Sequence, residues 1–164
     1  MKAIVVGCGI SGATAAFLLK RKGFNVEVFE TRPHIAGNCY DEIRSGIITH
    51  KYGAHVFHTN IDKVWNFVTQ FSDFNTFCPI VYADTKKGLI PIPFDDRAKS
   101  IIGPQTTDNI VDLIFRDYSE KMWGIPWDKF PTSISGRVPT KRDDPSLCFH
   151  LDKYQGIPID GYSV

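Results

Sequence analysis

At 164 residues the chain is long enough for one ordinary domain, or one domain with an appendage. A hydrophobic fraction of 43% with 23% charged residues excludes a disordered chain, and a formal charge of +1 excludes a general attraction to nucleic acid or to an anionic membrane. The expected partner is a small molecule, held by local groups if it is anionic.

No stretch is long enough to span a bilayer, and the apolar run 3–6 ends at Gly7 without a signal-peptide cleavage pattern. Cys8, Cys39, Cys78 and Cys148 lie far apart with no Cys-x-x-Cys pair, which predicts reduced thiols and a cytoplasmic setting.

In chain order, the β-branched run 2–6 predicts a strand buried on both faces. Ala13, Ala16, Phe17 and Leu18 recur at helical spacing over 11–21; Lys20 to Lys22 suit the C-terminal dipole, and Gly23 stops the helix. Asn25 to Phe29 predicts a second strand, parallel to the first through a right-handed crossover. Irregular backbone is expected from Pro33 to His58, then a helix over 62–71, and a hairpin from strands at 80–82 and 89–92 around a Lys-Lys-Gly turn. A helix over 108–122 closes at Gly124, and the Pro-, Gly- and Ser-rich remainder reads as loop. The fold class is therefore α/β, a Rossmann-like parallel sheet with a small appended α+β region.

Gly7-Cys8-Gly9-Ile10-Ser11-Gly12 is G-x-G-x-x-G between a strand and a helix, the context in which that pattern predicts dinucleotide binding. Gly7 permits the tight turn, Gly9 lets backbone approach a pyrophosphate, and Gly12 lets the helix pack closely on the strand. The helix N-terminus offers N–H groups and partial positive charge to the phosphates. Glu30, at the end of the second strand, is placed to accept from the ribose hydroxyls and disfavours a 2′-phosphate.

Beyond Glu30 come Thr31-Arg32-Pro33-His34-Ile35-Ala36-Gly37-Asn38 and His50-Lys51-Tyr52-Gly53-Ala54-His55-Val56-Phe57-His58-Thr59. Tyr118-Ser119-Glu120-Lys121-Met122-Trp123-Gly124, Arg137-Val138-Pro139 and Tyr154-Gln155-Gly156-Ile157-Pro158 complete a set of blocks that together resemble the UDP-galactopyranose mutases. The resemblance implies FAD, held through Gly7, Gly9, Ser11, Gly12, Glu30, Arg32, Gly37 and Asn38, with His55 and its loop against the flavin ring. It implies a sugar pocket lined by Tyr118 and Trp123, a nucleotide site near Phe149 and Tyr154, and Arg137 on a mobile loop reaching the diphosphate. Arg137 and His55 are the catalytic candidates. The implied activity is interconversion of UDP-galactopyranose and UDP-galactofuranose, with reduced-flavin N5 attacking the anomeric carbon and no net redox. Three segments follow: 1–60 for FAD and its loop, 61–125 for a shortened substrate region, and 126–164 for the mobile loop and return to the FAD domain.

Several positions depart from the family. Ala36 stands where glycine is usual, the helical insertion between Phe94 and Tyr118 is shortened, and Phe149 replaces a tyrosine. The chain ends where a usual member is half finished, leaving three readings: a natural fragment, half of a split enzyme with a complementing chain, or a minimal form that assembles as a homo-oligomer. The competing functions are a catalytically silent FAD-binding module and, more weakly, a flavin oxidoreductase of the amine-oxidase type. His50, His55 and His58 do not match zinc spacings, so no metal is assigned. Trp65 reads as core, and Lys141 and Arg142 read as solvated loop charges.

Overall fold

The computed structural model describes residues 1–144 and 146–163. It divides into two compact units, one made of Met1–Phe77 with Asp152–Val164 and the other of Cys78–Leu151. The last residues return to the first unit, where Tyr154–Gly156 pairs with one of its strands.

In the first unit, β1 (Lys2–Val6), α1 (Ile10–Arg21) and β2 (Asn25–Phe29) form the expected β-α-β unit. The strands are parallel, in register from Lys2↔Asn25 to Val6↔Phe29. Val5 faces α1, since its Cγ1 lies 3.4 Å from where a Cβ on Gly12 would sit. The other face is open: Ile4 is 61% and Val6 84% exposed, so β1 is not buried on both faces. The β-branched run specified the strand, but α1 covers one face and leaves Ile4 and Val6 exposed on the other.

Pro33 to His58 is more regular than expected. β3 (Asp41–Arg44) and β4 (Ile47–His50) form an antiparallel hairpin around Ser45 and Gly46, whose φ values of 50° and 79° are those a two-residue primed turn requires. The Ser-Gly pair before the apolar Ile47-Ile48 was the available signal, while Asp-Glu-Ile-Arg on the other side gave none. β5 (Phe57–Thr59) pairs antiparallel with β8 (Tyr154–Gly156). α2 (Asp62–Val68) is shorter than predicted; the Thr69 hydroxyl donates to Trp65 O at 2.9 Å near its end. Trp65 is half-buried and stacks on Tyr154 at 4.8 Å, with Phe57 and Phe74 beside it, as a core reading requires.

In the second unit, β6 (Val81–Thr85) and β7 (Gly88–Ile92) form the predicted hairpin, with Gly88 at φ +100° after Lys87. α3 (Asp96–Ile102) was not foreseen, although its cap was visible: the Asp95 carboxylate accepts from the N–H groups of Arg97 and Ala98. Ile90, Phe94, Ala98 and Ile110 form a buried core. The helical run predicted over 108–122 comprises α4 (Thr107–Ile110), a π-helical segment Val111–Phe115 and α5 (Arg116–Trp123). It closes at Gly124 with φ +69°. The supposed loop beyond carries a 3-10 turn (Trp127–Lys129), a short helix α6 (Thr132–Ser135) and, in the first unit, the strand β8.

A disulfide joins Cys78 to Cys148, which corrects the expectation of four reduced thiols; Cys8 and Cys39 are free. Seventy residues separate the pair in sequence, yet Phe149 N–H donates to Pro79 O at 2.7 Å and brings the two loops together. Disulfides persist in oxidising surroundings, so the cysteines no longer argue for a cytoplasmic setting. Among the described residues, no helix is long and apolar enough to cross a membrane.

Candidate functional site

Gly7, at φ +91°, turns the chain from β1 toward α1 and donates its N–H to Phe29 O at 2.7 Å. A Cβ on Gly12 would lie 1.9 Å from Gly7 O, so the helix passes too close to the turn for any other residue. Gly9 caps α1 without a side-chain hydrogen bond, and no acidic residue occupies the first helical turn, where Ser11 is exposed. Backbone N–H groups at that end are therefore available to an anion.

Glu30 straps this turn. Its Oε2 accepts the Cys8 N–H at 2.7 Å and its Oε1 the Arg32 N–H at 2.9 Å. These two backbone bonds, Arg32's first and then Cys8's, hold the carboxyl below its usual range against a small desolvation penalty. Each oxygen keeps a second lone pair, so ribose hydroxyls can still be accepted. Because the folded pKa is depressed, the strap's contribution is complete above the unfolded carboxylate value and is lost as pH falls through the folded one. Acidification is thus expected to loosen residues 7–12 before the second unit melts, and amide exchange rates at Cys8 and Arg32 measure it; unchanged protection at low pH would remove the strap.

Next to the strap, Arg32 Nη2 donates to Asn38 Oδ1 at 2.9 Å, and its guanidinium lies over the Tyr52 ring at 4.9 Å. Ala36 N–H donates to Cys8 O at 2.8 Å, and Gly37 packs against Gly9, where an added Cβ would stand 3.0 Å from Gly9 Cα. Ala36 takes φ +67° despite its methyl group, a left-handed conformation that glycine would reach without strain. Gly7, Gly9, Gly12, Glu30, Arg32, Gly37 and Asn38 are brought together.

His55 lies elsewhere in the first unit, in the turn after β4. Its N–H donates to His50 Nδ1 at 3.0 Å and its own Nδ1 lies 2.8 Å from Gly53 O. Its carbonyl accepts the hydroxyl of Tyr162 at 3.2 Å. Burial pushes the Tyr162 phenol up to about 12, aided by the nearby Cys39 and Asp41, so the hydroxyl keeps its proton and donates. Tyr162 escaped the sequence reading because its polar partner is a main-chain atom more than 100 residues away. Tyr154 stacks on Trp65, and its hydroxyl donates to Asp62 Oδ1 at 3.0 Å.

In the second unit, Tyr118 and Trp123 both stand on α5 and are 64% and 58% exposed. Five residues of α-helix rotate them about 140° apart, so they do not form one wall by themselves. Arg137 is exposed just beyond α6, with its N–H bonded to Ile134 O at 3.0 Å. Gly136 has φ −68°, an ordinary helical value; the constraint there is the approach of Thr132 O, 2.9 Å from an added Cβ. Phe149 is held from behind by Arg142, whose guanidinium donates to Cys148 O and, at 2.6 Å, to Phe149 O. That bonding corrects the reading of Arg142 as a solvated charge: an arginine amid six polar and proline-rich neighbours gave no sign that three carbonyls would turn toward it.

The fold and the glycine turn define the class as a Rossmann-type dinucleotide-binding protein, and residues 5–71 match the model of the NAD(P)-binding Rossmann-like domain. Residues 113–164 match the family model of UDP-galactopyranose mutase, and the chain is a relative of these mutases along its whole length. It is 30% identical to the dTDP-fucopyranose mutase of Escherichia coli over 99% of this chain and 52% of that protein. It is 28% identical to a probable UDP-galactopyranose mutase of Klebsiella pneumoniae over 98% of this chain and 50% of that protein. For the UDP-galactopyranose mutase of Mycoplasma genitalium the figures are 30% identity, 98% and 49%. The chain spans about half the length of the relatives it matches.

Proposed function

We propose that the chain binds FAD at the glycine turn and contributes to a nucleotide-sugar mutase that interconverts the pyranose and furanose forms of UDP-galactose. The observation that carries the reading is the uncapped helix N-terminus behind a Glu30-strapped glycine turn, in a chain whose residues 113–164 match the mutase family. The donors fit the cofactor: N–H groups of α1 for its pyrophosphate, Glu30 for a ribose, and Arg32 and Asn38 beside them. Reduced flavin supplies the nucleophile that ring contraction without net redox needs. The chain's own residues do the rest: His55 faces the flavin ring, Tyr118 or Trp123, which point apart on α5, packs on the sugar, and Phe149 packs on the nucleotide base. Arg137 neutralises the diphosphate through its planar fork, a bidentate match that lysine cannot reproduce.

The sugar and base are tested as two arms, because one relative is named for dTDP-fucopyranose. The chain is incubated with FAD, freed of excess cofactor and examined for visible flavin absorbance. Turnover of UDP-galactopyranose and of dTDP-fucopyranose is then assayed under reducing conditions. Retained flavin and ring contraction are expected, and Arg137→Ala is expected to keep the flavin while losing at least 10-fold in turnover, the lower range for a lost electrostatic contact. Unchanged turnover in that variant rejects its role. Flavin retained without turnover would instead mark the chain as a catalytically silent FAD-binding module.

A further inference from the structure

Every polar atom of the His55 backbone is taken by a side chain from another part of the first unit. His50, at the end of β4, accepts its N–H, and Tyr162, near the end of the described chain, donates to its carbonyl. Tyr162 is itself anchored. Its N–H donates to Asp41 Oδ2 at 2.5 Å, the Ser163 N–H donates to Asp41 Oδ1 at 3.2 Å, and the Asp41 N–H donates to Ser163 Oγ at 3.0 Å. Asp41 is 6% exposed, on β3 and opposite His50 in the hairpin register. Gly161 makes room for this anchor: at φ +87°, a Cβ there would lie 2.7 Å from the Asp41 carboxylate.

The hydrogen bonds also fix protons. A backbone N–H can only donate, so His50 Nδ1 carries none and, in the neutral ring, its proton sits on Nε2. A carbonyl can only accept, so His55 Nδ1 carries the proton toward Gly53 O. Neutral His55 is thereby left with a bare lone pair on Nε2, the reverse of the tautomer that free histidine favours.

We propose that Tyr162 and His50 are positioning residues that grip His55 by its carbonyl and N–H, so that its ring stays against Gly53 O as the Nδ1–H tautomer and presents Nε2 as an acceptor for a ligand N–H or O–H. The ligand end of this statement rests on the proposed flavin-facing role of His55; the tautomer does not. The grip fixes the backbone from which the half-buried ring reaches Gly53 O, and an acceptor held in place loses less entropy when it binds.

The test is long-range 1H–15N correlation of the imidazoles in the full chain labelled with 15N-histidine, without cofactor, at a pH where the rings are neutral; His55→Gln identifies the signals. The native chain is expected to show His55 as Nδ1–H and His50 as Nε2–H. Tyr162→Phe keeps the ring but drops the hydroxyl, and should move His55 toward the Nε2–H pattern. His50→Gln retains an acceptor and should preserve the His55 pattern, whereas His50→Leu should lose it, which keeps the test alive if Tyr162→Phe does not fold. A merely structural role would lower the melting temperature and leave the tautomers alone. His55 found as Nε2–H in the native chain, or unmoved in both Tyr162→Phe and His50→Leu, overturns the proposal. Where the native chain binds FAD, Tyr162→Phe should weaken it by about 10-fold, the loss of about one hydrogen bond. Absence of FAD binding with the tautomers as stated would count against the cofactor reading and leave the grip standing.

Discussion

Gly12→Ala is expected to lower the stability of the first unit by about 2–3 kcal/mol, the upper range for overpacking, and with it to abolish dinucleotide binding. The added Cβ would fall 1.9 Å from Gly7 O and 2.9 Å from Gly7 C. Both are main-chain atoms of a turn already held by Glu30 through Cys8 and by Phe29 O, so no side chain can swing aside. The helix must lift from β1, uncovering Val5 and pulling its N-terminus from the position where it can meet a pyrophosphate. For a unit of this size such a loss is a fall of roughly 10 °C or more in Tm. Gly9→Ala is the matching control, because a Cβ there would only touch Gly37 Cα at an ordinary 3.8 Å. It should melt like the native chain and still bind FAD poorly, since its methyl group occupies the side that a pyrophosphate approaches. Calorimetry and flavin retention on the two variants separate packing from binding: normal melting in Gly12→Ala would refute the clash, and normal flavin retention in Gly9→Ala would refute the placement of the phosphates.

The contrast between these two glycines shows which features can be read along the chain. The β-α-β opening, its glycine turn and the Gly124 stop were legible because each is set within one short supersecondary unit or helix end: a φ value, a cap or a helix crossing its own strand. The hairpin of β3 and β4 was missed: Ser45-Gly46 is a primed turn, but Asp-Glu-Ile-Arg before it carries a single apolar residue and does not read as a strand. What stayed hidden depends on distant partners. Asp41 has no local signature, and only the return of residues 161–163 makes it an anchor. Cys78 and Cys148 meet because the segments around Pro79 and Phe149 pair. The exposure of Ile4 and Val6 follows from what packs around the sheet, which β-propensity alone does not encode. For the candidate site, the sequence nominated residues but not their supports: His55 was named through its motif, but its partners Tyr162 and His50 emerge only once main-chain hydrogen bonds are known.

Arg142→Ala is expected to cost the second unit about 2–4 kcal/mol, although the residue looked like a loop charge. Its N–H donates to Phe94 O at 3.0 Å, and its guanidinium reaches the carbonyls of Cys148 and Phe149, with Ser146 O more distant at 3.5 Å. The main-chain bond survives the substitution. The guanidinium bonds do not, and a charged donor is worth about 1.5–3 kcal/mol to each well-placed acceptor, discounted here because the side chain is only half-buried. Arg142→Lys should recover less than half, since one ammonium cannot serve two diverging carbonyls as a fork does. The disulfide pins the same loop, closing a separation of 70 residues, which is worth about 4 kcal/mol in the chain-entropy account. The two restraints share residues 146–149, so their removal should not be additive: Arg142→Ala should matter more after reduction of Cys78–Cys148 than before it. Protease cleavage within 141–151 and melting of the second unit, each with and without reductant, measure this coupling. Equal effects of Arg142→Ala in both redox states would mean that the guanidinium and the disulfide hold the Phe149 loop independently.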